Sequence, residues 1–438
     1  MSILIYNYLF FFFLGGGVNL LKGIGVYLTS NILNALIPFL LLPILTRNLS
    51  VADYGQVVMF QTFLSAISAI VGLNTIGAAN RKYYDGNVDQ LVLMRFNGSC
   101  FQILLVSFLF LSLVGISFKT QLAKLLSIPD GWVLYAILVA SFLFITNMRL
   151  GQWQIRNKAK SFGLLQVGGG IVNMLLSVIF VVFLQQSGEG RIDAIIMSAA
   201  LSAVLSMGLL CRDKLIDVFS FRLKYLKEAL LFGVPLLPHS LGMLLLTMSD
   251  RFIINHKLGV ADVGIYMVAL QLSSALAVIF DAINKAFVPW LFDRLKSDCF
   301  IERLKIVKMT YCYMLSLLFI ALLAFFIAPY IVVMIAGDKY TEAGRIIGWV
   351  CLGQIFSGMY LMVTNYIFYA KKTQYLSLTT MISGALGVVL LFVGVIYFSL
   401  LGAAIAFALA KFIHFAFTFY MSNKVYPMPW RLRNDSES

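Results

Sequence analysis

Charge is scarce in this 438-residue sequence. Asp, Glu, Lys and Arg together make up 12% of it, about half of the roughly 25% usual in a soluble domain. With 61% of its residues hydrophobic, the chain has too little polar material to clothe a water-facing surface, and the soluble globular class is excluded. Cys100, Cys211, Cys299, Cys312 and Cys351 are odd in number, scattered and never spaced as CxxC, which excludes a secreted disulfide framework. Only three histidines are present, so no metal site and no cofactor are expected. The sequence has no GxxxxGK[ST] phosphate loop, no HExxH, no GxSxG elbow and no paired-carboxylate motif. It therefore reads as a non-enzyme whose energy does not come from an ATPase domain of its own.

What the chain does have is long apolar runs, each able to cross about 30 Å of hydrocarbon as a helix. Twelve candidate spans begin near Ile24, Gln56, Phe96, Trp132, Gly163, Ile192, Ala229, Val263, Met309, Ile346, Tyr375 and Leu400. The connections are short, so no loop is expected to form a separate soluble domain. The formal charge of +14 is explained by where the cations fall. Most of the lysines and arginines lie on the side that holds Lys22 and the carboxyl terminus, above all in the loops Arg149–Lys160, Arg212–Lys227 and Lys285–Lys308. The positive-inside rule then places both ends of the twelve-span core in the cytoplasm, and no nucleic-acid partner is expected. Residues 1–19 form an apolar extension without the basic start of a signal peptide. It reads as an interfacial helix, an extra span or an upstream start that adds nothing to the fold.

The sequence repeats itself. Leu49–Gly55 read LSVADYG and Leu258–Gly264 read LGVADVG, identical except at the second and sixth positions, and at the same offset Ser65-Ala66-Ile67 meets Ser274-Ala275-Leu276. The expected fold is an all-α polytopic membrane protein, with two pseudo-symmetric six-helix bundles around a central cavity. Because six is even, the two repeats are parallel. The halves are assigned to residues 20–218 and 219–424, with 425–438 as a cytoplasmic tail. Pro38 and Pro43 in the first span, and Pro235 and Pro238 in the seventh, are candidate hinges, with static packing as the alternative. Gly168-Gly169-Gly170, Gly384 and Gly387 are expected to allow close helix contact.

Ionisable groups in hydrocarbon are costly and therefore mark function unless they reach the interface. Lys411 lies mid-span, with His414 three residues on along the same face; the alternative for Lys411 is a purely structural pair. Asp250 and Arg251 lie about a turn inside the outer end of span seven, and as helix neighbours they are expected to find separate partners. Asp281 and Lys285 have the i, i+4 spacing of a local ion pair. Arg149, Gln152 and Arg156 form one polar stripe leaving span four, which reads as a mouth that collects an anionic headgroup or as a solvated basic face. Arg47, Arg81 and Lys82 read as interfacial anchors, with substrate contact as the alternative, and His239 as hydrogen-bonded packing rather than a proton carrier.

The string PFLLLPILTRNLSVADYG at Pro38–Gly55 resembles the first helix and loop of the Wzx-type polysaccharide flippases, of the multidrug/oligosaccharidyl-lipid/polysaccharide exporter superfamily. FGVPLLPHSLG at Phe232–Gly242, SDRFIINHKLGVADVGIYMVALQLS at Ser249–Ser273 and NYIFYAKKTQYLS at Asn365–Ser377 extend the resemblance over most of the chain. It implies a bacterial inner-membrane flippase that moves undecaprenyl-diphosphate-linked oligosaccharide, such as an O-antigen or capsule repeat unit, from the cytoplasmic to the periplasmic leaflet. Lys411, Arg251 and Arg149 would then contact substrate, and Asp250, Asp281 or His414 would couple alternating access to an ion gradient. Membrane lipids, a glycan polymerase and chain-length machinery are the partners this implies. The rival readings are a multidrug or other small-molecule antiporter of the same superfamily and, from a different class, a membrane glycan polymerase.

Overall fold

The computed structural model describes residues 17–86, 89–296 and 299–431, with side chains from residue 25 onward. Most of the apolar extension, residues 1–16, thus lies outside the described residues. Among those described there is no strand. Thirteen α-helices follow one another: α1 Gly17–Asn48, α2 Val51–Ile70, α3 Thr75–Lys82, α4 Gln90–Leu126, α5 Asp130–Ile155, α6 Ala159–Ser177, α7 Ser187–Arg212, α8 Leu223–Gly233, α9 Leu237–Lys257, α10 Val260–Leu295, α11 Phe300–Ala336, α12 Thr341–Tyr369 and α13 Gln374–Val425. Among the described residues, eleven helical stretches are long and apolar enough to cross a membrane, because α2 with α3, and α8 with α9, each count as one. The protein is a multi-pass membrane protein. Its exposed apolar side chains, such as Leu105, Val106, Leu109 and Phe110 on α4 and Phe319, Leu322 and Phe326 on α11, have lipid rather than water as their natural solvent.

Eleven stretches become twelve crossings because α13 is a hairpin. At Ser399 the backbone leaves the helical region, with φ 51° and ψ −136°. Gly394 and Gly402 then meet backbone to backbone: a Cβ on Gly402 would lie 1.9 Å from the Gly394 carbonyl oxygen, and one on Gly394 would lie 2.6 Å from that of Gly402. Further from the turn, a Cβ on Gly387 would lie 3.1 Å from the Ala410 methyl. The two arms run antiparallel in glycine-lined contact, the close approach that small residues permit between membrane helices. Each of the twelve crossings lies where the apolar runs of the sequence place one.

The helices group into two compact units. The first comprises the residues up to Ser50 together with Met59–Leu245, and the second comprises Val51–Val58 together with the residues from Leu246 on. In the first unit α1 packs on α6, where Gly163 and Gly170 receive Ser30 and Ile37; added Cβ atoms would come within 2.3 Å of those side chains. Gly168, in contrast, faces open space, so not every glycine of the triplet serves helix contact. The α2–α3 crossing is broken by three successive left-handed residues, Gly72, Leu73 and Asn74. Backbone freed in this way must find other partners at membrane depth. The Gly72 N–H donates to Ser107 Oγ at 3.0 Å, and the Thr75 hydroxyl donates to the Gly72 carbonyl at 2.6 Å. Gly72 has φ +68°, and a Cβ there would strike the Phe144 ring at 2.1 Å, so both the turn and the packing require glycine.

In the second unit the two repeat motifs touch each other. A Cβ on Gly55 would lie 1.9 Å from the Val260 carbonyl oxygen, and one on Gly264 would lie 2.7 Å from that of Val51. Val51 and Gly55 occupy the same motif positions as Val260 and Gly264. The contact is therefore reciprocal, like the self-complementary patch of a two-fold dimer. The chain after α13 also joins this unit: Met428 is buried, and Trp430 meets Tyr311, Tyr366 and Phe419 in an aromatic cluster.

Candidate functional site

In the second unit, α9, α10, α12 and α13 gather the polar groups that the apolar spans would otherwise exclude. Asp250 and Arg251 on α9 are both largely buried, with side-chain exposures of 16% and 15%. The sequence assigns them separate partners; the structure gives each its own and adds a contact between the two. The Arg251 Nη1 stands 3.7 Å from Asp250 Oδ1, and the Arg251 backbone N–H donates to the same carboxylate at 2.8 Å. Arg251 Nε also donates to Met267 Sδ at 3.2 Å on α10, and its Nη1 donates to the Thr247 carbonyl at 3.3 Å.

Asp250 interacts electrostatically with Lys411 of α13 and with the fully buried Tyr266 of α10. The Lys411 ammonium lies 5.5 Å from the Phe407 ring centroid, one turn away on the same helix. Three residues on, the His414 ring stacks on Tyr360 at 4.2 Å, with Thr380 Oγ1 3.4 Å from its Nε2. Three of the residues singled out by sequence, Asp250, Arg251 and Lys411, thus form one charged set, with His414 beside it. Asp281 is placed differently. It pairs with Lys285 at 2.5 Å, and both side chains are more than half exposed.

Arg149 belongs to the first unit, where a second group of charges forms. Its side chain is 1% exposed, its Nη2 donates to Asp213, and its guanidinium lies 4.1 Å from the Trp153 ring centroid. Two local devices set this geometry. Helices α5 and α7 each end in a left-handed residue, Asn157 and Lys214, with the Lys158 N–H bonded to the Trp153 carbonyl and the Leu215 N–H to that of Leu210, as in a Schellman cap. The connection after α7 is then strapped along α4: Asn97 Nδ2 donates to the Leu215 carbonyl at 2.8 Å, Gln102 Nε2 to that of Val218 at 2.7 Å, and a Cβ on Gly98 would overlap the Asp217 carbonyl. Asp213 is held beneath Arg149 in this way. The Arg149 hydrogen bond holds its carboxyl below the usual carboxylate range, so the pair contributes stability above about pH 4 and loses it as pH falls through the depressed value.

Arg156 extends this group, donating to the Gln152 carbonyl at 3.1 Å and lying 4.8 Å from the Tyr83 ring centroid. Two open pockets flank the Arg149–Asp213 pair, of about 380 and 370 Å³, and both are walled by Trp153 and Lys158. We predict that Asp213→Ala, which leaves the buried Arg149 charge unpaired, costs about 3 kcal/mol. The variant should unfold at lower temperature in detergent, whereas Asp213→Asn, which keeps an acceptor, should lose less. The sequence reading missed Asp213 because it lies in a connector. The polar pair Asn284–Asn365, joined at 2.8 Å between α10 and α12, was missed because amides carry no charge to mark them. The hinge candidates are divided. Pro38 and Pro43 lie inside α1, whereas Pro235 sits in the short 3-10 turn Val234–Leu236 between α8 and α9, with Pro238 just beyond it.

Comparison with known proteins places this geometry. Residues 20–294 match the family described as polysaccharide biosynthesis protein. The chain is 28% identical over 366 residues to the Lsg locus putative protein 1 of Haemophilus influenzae, covering 82% of this chain and 87% of that one. It is 21% identical over 426 residues to the capsular polysaccharide biosynthesis protein CapF of Staphylococcus aureus, covering 93% and 100%. Among solved structures, the lipid II flippase MurJ in an inward closed conformation superposes with a TM-score of 0.67 at 15% identity, covering 92% of this chain and 87% of that one. At that identity the likeness shows a shared polytopic all-helical fold.

Proposed function

The chain belongs to the polysaccharide biosynthesis protein family, and from that premise we propose that it is a flippase for undecaprenyl-diphosphate-linked oligosaccharide. In this reading it works by alternating access, carrying an O-antigen or capsule repeat unit from the cytoplasmic to the periplasmic leaflet of a bacterial inner membrane. The two-half organisation of residues 20–218 and 219–424, with cytoplasmic ends, is part of the same proposal. The observation that carries it is the charged set Asp250, Arg251 and Lys411 on helices otherwise apolar enough to span a bilayer. Moving a diphosphate and its sugars across hydrocarbon requires that their lost hydration be replaced. Buried cations do this through charge-assisted hydrogen bonds. Lys411 and Arg251 take that role here, and Asp250, their acidic neighbour, is the natural group for an ion to bind and release. His414 and Asp281 are the remaining coupling candidates, and Pro38, Pro43, Pro235 and Pro238 the hinge candidates. Glycan polymerase and chain-length machinery are the expected protein partners.

The test is translocation by purified protein in sealed liposomes. A short-chain diphosphate-linked glycolipid should become accessible on the opposite face, faster with an imposed proton gradient. Movement no greater than in empty liposomes, across several glycan headgroups, would turn the reading towards a small-molecule antiporter. The hinge proposal has its own readout. Pro235→Ala with Pro238→Ala should trap one orientation in cysteine-accessibility labelling, and an unchanged labelling pattern would leave these prolines as static packing.

A further inference from the structure

The two pockets beside Arg149 differ in character although they share a wall. One is lined by Tyr83, Gln90, Arg156 and Lys158 with Leu93 and Leu215 at its edge; the other has the more apolar lining and runs from Lys158 and Arg212 along Leu164, Leu205 and Leu209. Leu164 and Leu205 are 78% and 54% exposed, on helices that cross the membrane, so the second pocket opens where lipid chains lie. Arg149 pairs with Asp213. Arg212, 78% exposed, also reaches this carboxylate, its Nε 3.7 Å from Asp213 Oδ1, so one acid is shared by two arginines and the cluster of Arg149, Arg156, Lys158 and Arg212 with Asp213 keeps an excess of three positive charges. Arg149 itself keeps its Nε and Nη1 buried without a hydrogen-bond partner, two donors left over for an acceptor group in the pockets it lines. A cationic ridge with a polar chamber on one side and a leucine-lined channel on the other matches an amphiphile whose anionic group joins a polar head to a greasy chain.

We propose that these pockets form a docking site for an isoprenyl diphosphate, separate from the charged set of the second unit. The diphosphate lies across Lys158, Arg212 and Arg156, the head it carries occupies the chamber beside Tyr83 and Gln90, and the chain follows Leu164, Leu205 and Leu209. A diphosphate is favoured over the single phosphate of a phospholipid because four cations face one carboxylate, Asp213, which leaves an excess of three positive charges, and because cations act on phosphate oxygens mainly through charge-assisted hydrogen bonds. The inference rests on the flippase reading for its choice of lipid, but not for the existence of the site.

The experiment uses the full-length protein in nanodiscs and a photoreactive farnesyl diphosphate, with the labelled peptides mapped. Label is expected on α6 and α7 around Leu164, Leu205 and Leu209. Inorganic pyrophosphate should compete for it, and the double variant Lys158→Gln, Arg212→Gln, whose altered residues are exposed, should reduce it at least 10-fold. Label that maps elsewhere, or that persists undiminished in the double variant, overturns the site. Equal competition by phosphatidylglycerol vesicles would overturn its selectivity for a diphosphate. The same preparations, assayed for translocation, separate the two proposals. Intact labelling without flipping counts against the flippase reading alone, and flipping without labelling counts against the docking site alone.

Discussion

Replacing Gly55 with alanine is expected to cut sharply the amount of folded protein recovered from the membrane. The new methyl would sit 1.9 Å from the Val260 carbonyl oxygen, and the obstacle is helix backbone, which cannot rotate aside as a side chain can. Overpacking typically costs about 1–3 kcal/mol, and with backbone as the obstacle the upper end of that range is expected. Gly264→Ala should be milder, since its methyl would meet the Val51 carbonyl oxygen at 2.7 Å. Gly168→Ala, with nothing within 4 Å of the added atom, is the control and should leave stability unchanged. Thermal unfolding followed by size-exclusion chromatography in detergent measures all three. A Gly55→Ala variant as stable as Gly168→Ala would mean that the contact between the two repeat motifs contributes nothing to the fold.

Lys411→Ala is expected largely to abolish export of surface polysaccharide while leaving membrane insertion intact, and Lys411→Arg to retain part of it. The variant removes the cation and leaves Asp250 in a largely buried position with Arg251 at 3.7 Å. Two effects are then mixed, a carboxylate left with Arg251 as its one cationic neighbour among the described contacts and a missing substrate contact. The double variant Asp250→Asn, Lys411→Met separates them. If the pair only keeps the helices together, removing both charges restores stability and export alike. If either group acts in transport, Lys411 on the diphosphate or Asp250 in coupling, stability returns and export does not, and Asp250→Asn alone then tells the two apart. Wild-type export in Lys411→Ala would remove Lys411 from the mechanism.

The spans were legible because a bilayer imposes one length on every crossing, and apolar runs of that length are hard to disguise. Even the hairpin in α13 could be read: an uncharged stretch from Lys372 to Lys411 is too long for a single crossing. The break at Gly72–Asn74 was not read, although glycine and asparagine are the residues that tolerate left-handed backbone. The hydrophobic run continues through it without proline, so nothing in the pattern marks a stop. Of the charged groups, sequence found those whose own position is anomalous, such as Lys411 in mid-span. It missed Asp213, an ordinary connector residue that matters only because two capped helices and a strap along α4 carry it to Arg149. For Asp250 and Arg251 it assigned separate partners, which they have, but not the added contact between them. Positions were readable from burial cost; pairings depended on tertiary geometry.

The turn at Ser399 bears on how the chain enters the bilayer. With no charged residue between Lys372 and Lys411, the tip of the α13 hairpin offers an insertion machinery nothing to retain on either side. The two arms therefore have to partition together, as a preformed pair whose glycine seam hides backbone from lipid, while Lys371, Lys372 and Lys424 hold the open end. Orientation of the last two crossings is then inherited from their flanks, and an epitope spliced in at Ser399 would report on biogenesis before it reported on transport.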